Sequence, residues 1–185
     1  MTPPTPLRIE KIPPESLTPE QEAAVTELST SVWPVPGPRR VELQKDSAPG
    51  DDRRHLRLLG WHADQLVATC FIFERTIRAG DVPLPITALA GVCTHASQRG
   101  QGFGRAIVKA AFHDVDTGRY PVCLFQTGVP GFYEKLGARR IDSRFVNSRN
   151  PAMPDTNPFW DDIRMIYPGP GPWPDCVFDL CGPAY

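Results

Sequence analysis

The sequence has no apolar run near the roughly 20 residues that a membrane span requires; its longest stretches, such as Leu66 to Phe73, fall far short. Met1 to Lys11 lacks the apolar core of a secretory leader, so a cytoplasmic location and no membrane partner are expected. Charge of either sign is not in excess: 20 Lys+Arg stand against 21 Asp+Glu, net -1, which leaves no global field to draw nucleic acid. Cysteine is sparse and scattered. Cys70, Cys93, Cys123, Cys176 and Cys181 form no CxxC and lie near no His pair at ligand spacing, so no metal is expected. No internal repeat or heptad is present. A length of 185 residues argues for one domain spanning 1–185.

Proline, by contrast, is abundant and concentrated at the ends. Of 22 prolines, nine lie in residues 1–39 and eight in 150–185, which assigns irregular backbone to the ends and regular elements to the centre. Charge is also divided. Residues 150–185 hold Asp155, Asp161, Asp162, Asp175 and Asp179 against Arg164 alone, net -4, and Tyr185 adds its carboxylate. That segment reads either as a solvated acidic tail or as an electronegative wall for a cationic ligand.

Leu7 to Ile12 alternates as a short strand. A helix follows, with Thr18 as N-cap, Pro19 at its first position, Gln21 at capping-box spacing, and Ala24, Val25, Leu28 and Val32 on one face. Trp33-Pro34-Val35-Pro36 ends it, and a loop runs to Asp52 with a short helix expected around Val41 to Lys45. His55 to Trp61, Leu66 to Ile77 and Leu84 to Thr94 read as an antiparallel meander, turning at Asp64-Gln65 and Ala79-Gly80-Asp81. The period then changes to helical, with Phe103, Ile107, Ala110 and Ala111 on one face and Gly118 as a stop. Pro121 to Gln126 is a buried strand, Phe132 to Leu136 a short helix, Arg139 to Val146 and Ile163 to Tyr167 strands, and Val177 to Leu180 one more. The fold class is therefore α/β, with a mixed, mostly antiparallel sheet and flanking helices.

The segment that carries chemistry is Gln98-Arg99-Gly100-Gln101-Gly102-Phe103-Gly104, set between a strand and a helix. It is neither a Rossmann fingerprint, which would need glycine at Arg105, nor a P-loop, since no GK[ST] follows. Glycines at alternate positions let the backbone turn sharply, so several amides and a helix N-terminus can face one anion while Arg99 adds charge. A pyrophosphate fits that pattern.

Together with the downstream Gly131-Phe132-Tyr133-Glu134-Lys135-Leu136-Gly137-Ala138, this segment resembles the GCN5-related N-acetyltransferase family in motif and spacing, most strongly over Leu84 to Ile141. The resemblance implies that family's fold, with splayed central strands, and acetyl-CoA as co-substrate. It implies that Val92, Cys93 and Thr94 pair with the pantetheine, that Arg99, Gly100, Gln101, Gly102, Phe103 and Gly104 hold the pyrophosphate, and that Tyr133 contacts the co-substrate and protonates the leaving thiolate. On its pattern alone, Tyr133 also reads, as the lesser alternative, as a core aromatic of a short helix.

Within the family the chain looks most like aminoglycoside 2'-N-acetyltransferases, on Val129-Pro130-Gly131, the Asp161-Asp162 pair and the Trp173-to-Tyr185 ending, with a kasugamycin-type enzyme as one form of that reading. The implied acceptor is a small cationic amine held by Trp33, Ala90, Gly91, Gln126, Asp161, Asp162, Asp179 and Tyr185, with Phe159 and Trp173 as further aromatic contacts. Antibiotic resistance would be the consequence. Ala90 stands where relatives often carry a glutamate base, so the base is unassigned among His95, Glu74 and the C-terminal carboxylates. The competing readings are a protein or peptide acetyltransferase and a non-catalytic acyl-CoA-binding module. Homodimers occur in the family, though no apolar surface stripe here demands one.

Overall fold

Period-two alternation through residues 55–94 builds three long strands, and the structure, a computed structural model, places them at the centre of one sheet. It describes residues 6–34, 55–155, 159 and 161–184. The helix expected at Val41 to Lys45 and the terminal Tyr185 lie outside these residues.

The strands are β1 (Arg8–Ile12), β2 (His55–His62), β3 (Gln65–Ala79), β4 (Val82–Thr94), β5 (Cys123–Gln126), β6 (Arg139–Ile141), β7 (Phe145–Val146), β8 (Arg164–Tyr167) and β9 (Phe178–Asp179). The helices are α1 (Pro19–Val32), α2 (Phe103–Asp116) and α3 (Pro130–Glu134). Sheet order is β1-β2-β3-β4-β5-β8-β6, antiparallel except for β4 and β5, while β9 pairs with the end of β3 and with β7. This is the expected mixed sheet. The single strand expected over Arg139 to Val146 divides: Ile141 stays on the β8 edge, whereas Phe145 leaves it to pack on Phe159 and Phe178 at ring-centroid distances of 5.2 and 5.5 Å. The first hairpin turns at Ala63-Asp64, both at positive φ, one residue before the position expected.

Thr18 caps α1 as the sequence predicts, its hydroxyl accepting from Gln21 N–H while the Gln21 side chain accepts from Thr18 N–H, an arrangement worth about 1 kcal/mol. One face of the sheet buries Leu58, Cys70, Ile72, Leu89, Phe125 and Met165 under α2 and α3. The other face has two covers. At one end α1 packs on Leu59, Leu66 and Cys93; at the other the C-terminal segment packs Phe159, Phe178 and Leu180 on Ile77 and Ile86. Buried Arg75 fastens that segment by donating to Leu180 O at 2.5 Å and Pro183 O at 2.8 Å. Phe71, half-buried, belongs to neither cover. Among the described residues no helix is long and apolar enough to cross a membrane, and no group of three or more His, Cys, Asp or Glu is placed to hold a metal.

Candidate active site

The site begins with a bulge. Phe71 pairs with Ala90 and Thr69 with Cys93, so the single residue Cys70 faces two, Gly91 and Val92. Gly91 takes φ +58, and a Cβ there would stand 3.2 Å from the Phe71 ring. Glycine is therefore required both by conformation and by contact. The extra residue resets the alternation: Val92 packs toward α2, Cys93 toward α1. It also turns β4 away from β5. The two pair only at Thr87↔Cys123 and Ala88↔Leu124, and among the described residues no strand is in register with that side of β4 beyond this rung. An extended chain of amides can add to such an edge as another strand would.

β4 runs straight into the glycine turn. Gly100 and Gly102 adopt φ +82 and +86, and Gly102 opens α2 with no side-chain cap. The first intrahelical bond is Ala106 N–H to Gly102 O at 2.9 Å, and among the described residues the amides of Gly100 to Arg105 have no acceptor. No side chain intrudes, because a Cβ at Gly100 or Gly102 would meet nothing within 4 Å. Orphan amides, a helix N-terminus and exposed Arg99 make an anion cradle that suits a pyrophosphate. Gly104 locks the cradle to the strand: its Cβ would lie 2.9 Å from Thr94 Oγ1.

Tyr133 lies on the helix side of the gap. It is 6% exposed, with its ring centroid 4.7 Å from that of Phe125, the residue directly after the last β4–β5 rung. Its hydroxyl has no hydrogen-bond partner among the described residues. Burial, and then the neighbouring thiols Cys70 and Cys123, push the phenol well above its ordinary range, so it stays protonated at neutral pH. Tyr133 is thus both a core aromatic and an unengaged proton donor at the point where the strands part.

On the opposite face the register sets five side chains in one transverse row. Arg57 pairs with Phe71, Phe71 with Ala90, Ala90 lies level with Gln126 across the gap, and Gln126 pairs with Arg164. All five project away from α2, since their neighbours Leu56, Cys70, Leu89, Phe125 and Met165 fill the helix-side core. The Arg57 guanidinium lies over the Phe71 ring, 3.0 Å from its centroid. Asp161 is pinned to this row, its N–H donating to Gln126 Oε1 at 2.8 Å, and its carboxylate reaches to 3.9 Å from where a Gly128 Cβ would be. Burial, and then adjacent Asp162, raise the Asp161 carboxyl above its usual range.

The structure thus brings Ala90 to Thr94, Arg99 to Gly104, Gln126, Tyr133 and Asp161, with exposed Asp162 beside it, around one gap. Trp33, the C-cap of α1, packs on the cluster that contains Cys93. Other expectations are corrected. Asp179 pairs across from Arg78, seven residues along β3 from Phe71, about 23 Å at strand rise. Its carboxylate accepts from Ser148 N–H at 3.0 Å and Cys181 N–H at 2.8 Å. Burial alone would raise Asp179, but those hydrogen bonds outweigh it and the group ends lowered. Its carboxylate is engaged by backbone, away from the gap. Phe159 is buried, and Trp173 stacks on Phe178 at 4.4 Å with its indole N–H on Ser143. Glu74 faces α2 and pairs with Arg119 at 3.0 Å, and His95 caps the turn at Ala96–Gln98, so neither joins the transverse row. Arg57, Phe71 and Arg164 were not anticipated. Only strand pairing puts them in one row, although alternation in Arg164-Met165-Ile166-Tyr167 already separates their faces.

The family model described as an acetyltransferase (GNAT) domain matches residues 14–141, which include the bulge, the cradle and Tyr133. The chain belongs to the GNAT acetyltransferase family. Similar solved structures carry the same fold: a GCN5-related N-acetyltransferase from Kribbella flavida (19% identity, TM-score 0.56, 74% of this chain and 33% of that one) and Escherichia coli ElaA (20%, 0.55, 87% and 99%). A third is an acyl-CoA N-acyltransferase from Pseudomonas aeruginosa (16%, 0.54, 87% and 99%). The chain thus spans one third of the Kribbella protein and nearly all of the other two. None of the curated proteins matches it. Members of this family are N-acetyltransferases that use an acyl-CoA, such as acetyl-CoA, and act on small-molecule or peptide amines.

Proposed function

We propose that this GNAT protein acetylates a primary amine of a small molecule, with acetyl-CoA bound along Val92 to Thr94 and its pyrophosphate on the amides of Arg99 to Gly104. The observation that supports this most is the meeting, at one gap, of a bulged strand that has parted from its neighbour, a cradle of orphan amides and an unengaged tyrosine hydroxyl.

Acetyl-CoA supplies an acyl carbon on a good leaving group. The chain's own residues do the rest. β4 holds the thioester between strands, open to both sheet faces. Ionised Asp161 stands on the acceptor face, where the family's glutamate position is Ala90, and takes the amine proton directly or through one water, because an ammonium has no lone pair with which to attack. As nitrogen bonds to the acyl carbon and the carbon–sulfur bond breaks, Tyr133 gives its proton to the thiolate from the other face. Its raised pKa keeps that proton in place beforehand, and a dry local site lets the transfer proceed to a thiolate whose conjugate acid is near 8.5.

The narrower reading, an aminoglycoside 2'-amine with antibiotic resistance as the outcome, rests on the sequence resemblance and on Asp161 and Asp162 as cation-holding groups. Release of free thiol from acetyl-CoA with a panel of aminoglycosides and simple amines tests both levels. Acetylation of any amine supports the transferase, and acetylation of aminoglycosides in preference to monoamines supports the narrower reading. No thiol release with any amine, at saturating acetyl-CoA, counts against both.

A further inference from the structure

Arg164 is the single base in the acidic C-terminal segment, and its setting is not that of a surface charge. It pairs with Gln126 on β5 and with Ile141 on β6. Partners directly across a sheet project to one face, and Ile141 lies in the core beneath the C-terminal segment, so the Arg164 side chain stands on the acceptor face. That side chain is 20% exposed. Its Nε is fully buried and has no hydrogen-bond partner among the described residues. Among the described residues its one ion pair is Nη2 to Asp142 Oδ1 at 3.9 Å, beyond hydrogen-bond range, and Asp142 is wholly solvent-exposed. A guanidinium cannot shed its charge, and burial without paired donors is costly; its planar fork matches a bidentate oxyanion.

The charges of the row also sort by position. Asp161, tied to Gln126, can hold an ammonium beside the gap; Arg164, across from the same Gln126, offers the opposite charge one strand further out. We infer that Arg164 binds an oxyanion, a carboxylate or phosphate, carried by the acceptor, so that the substrate is an amine bearing an anionic group; this replaces the aminoglycoside reading, whose polycation Arg164 would repel, and keeps the broader one. This rests on the acetyl-transfer reading above and names the substrate class for that site. Arg164 is a specificity-determining residue and takes no part in bond making.

The test uses the full chain in two assays. In the first, acetyl-CoA turnover is compared for matched amines that differ in the anion: glycine against glycinamide, and phosphoethanolamine against ethanolamine. The charged member of one pair should have kcat/KM higher by about tenfold or more, the two pairs telling carboxylate from phosphate. Arg164→Gln should erase that preference, Arg164→Lys keep part of it, and Asp142→Asn leave it intact. In the second, the arginine Nε–H resonances of the CoA-bound protein are followed by NMR, with Arg164 assigned from its absence in Arg164→Lys. Its signal should shift saturably with N-acetylglycine or inorganic phosphate and not with N-acetylglycinamide. A resonance that responds to neither anion overturns the inference, as does a preference that survives Arg164→Gln or that Asp142→Asn abolishes equally. Acetyl-CoA binding, measured by calorimetry on the same samples, keeps the two claims apart: its absence removes the transferase reading, whereas intact binding with a silent Arg164 removes only the anion site.

Discussion

Replacing Gly102 separates the two properties that make the cradle work. Gly102 sits at φ +86 with open space around it, so any L-residue there is strained but not blocked. Gly102→Ala introduces that strain alone, about 1 to 2 kcal/mol against stability. Gly102→Asp adds the same strain and a carboxylate at the entrance to α2. With about 5 Å between that charge and a bound phosphate, the repulsion is about 3 kcal/mol at an effective dielectric of 20 and about 1 kcal/mol near the value of water. Position 102 is exposed, which favours the lower part of that range. The Asp variant should therefore bind acetyl-CoA about 5- to 100-fold more weakly than the Ala variant, although it loses no more thermal stability, since the N-terminus of α2 favours a carboxylate. Calorimetric titration at low salt and again at about 0.5 M salt reads this, and the gap should shrink as salt screens it. Equal affinities for the two variants at low salt would refute the cradle, because the backbone amides of Gly100 to Arg105 would then not face the pyrophosphate.

Tyr133→Phe removes a hydroxyl with no partner among the described residues, so it should leave stability within about 0.5 kcal/mol and acetyl-CoA affinity unchanged while turnover falls about 10²-fold or more; full activity would leave the ring a core residue only. Asp161 and Asp179 should part company in their pH behaviour. A base must be ionised, so the raised Asp161 carboxyl predicts an acidic limb in kcat/KM above the ordinary aspartate range, and Asp161→Asn should abolish that limb together with most of kcat. Asp179 is lowered in the folded state, so its stabilisation is complete above the unfolded value near 4 and is lost as pH falls through the folded one. Asp179→Ala should cost about 1 kcal/mol at pH 7, less in acid, with kcat/KM unaltered; a drop in kcat/KM would return Asp179 to the substrate.

Local signals were legible where one residue type performs one local task. The Thr18 cap, the change from period two to helical period at Phe103, and the glycines of the cradle all read correctly, because each reflects backbone need within a few residues. Tyr133 was visible through its motif, but its place beside the strand gap was not. The acceptor face was the least legible part. Its row joins residues from 57 to 164 through pairings across four strand boundaries, and no local pattern reports such register. The acidic C-terminal segment misled for a related reason: net charge counts residues without placing them. Asp161 was tied to Gln126 at the gap, whereas Asp179 was consumed by the amides of Ser148 and Cys181 at the far end of β3.

The central claim is that acetyl-CoA lies along β4 where it has parted from β5 and on the amides that open α2. Hydrogen exchange of the full chain, read amide by amide with and without saturating acetyl-CoA, tests it most directly. The account predicts new protection confined to Leu89 to Thr94 and Gly100 to Arg105, with the paired strand β2 unchanged. Protection elsewhere, with these two segments exchanging as in the free protein, would contradict it.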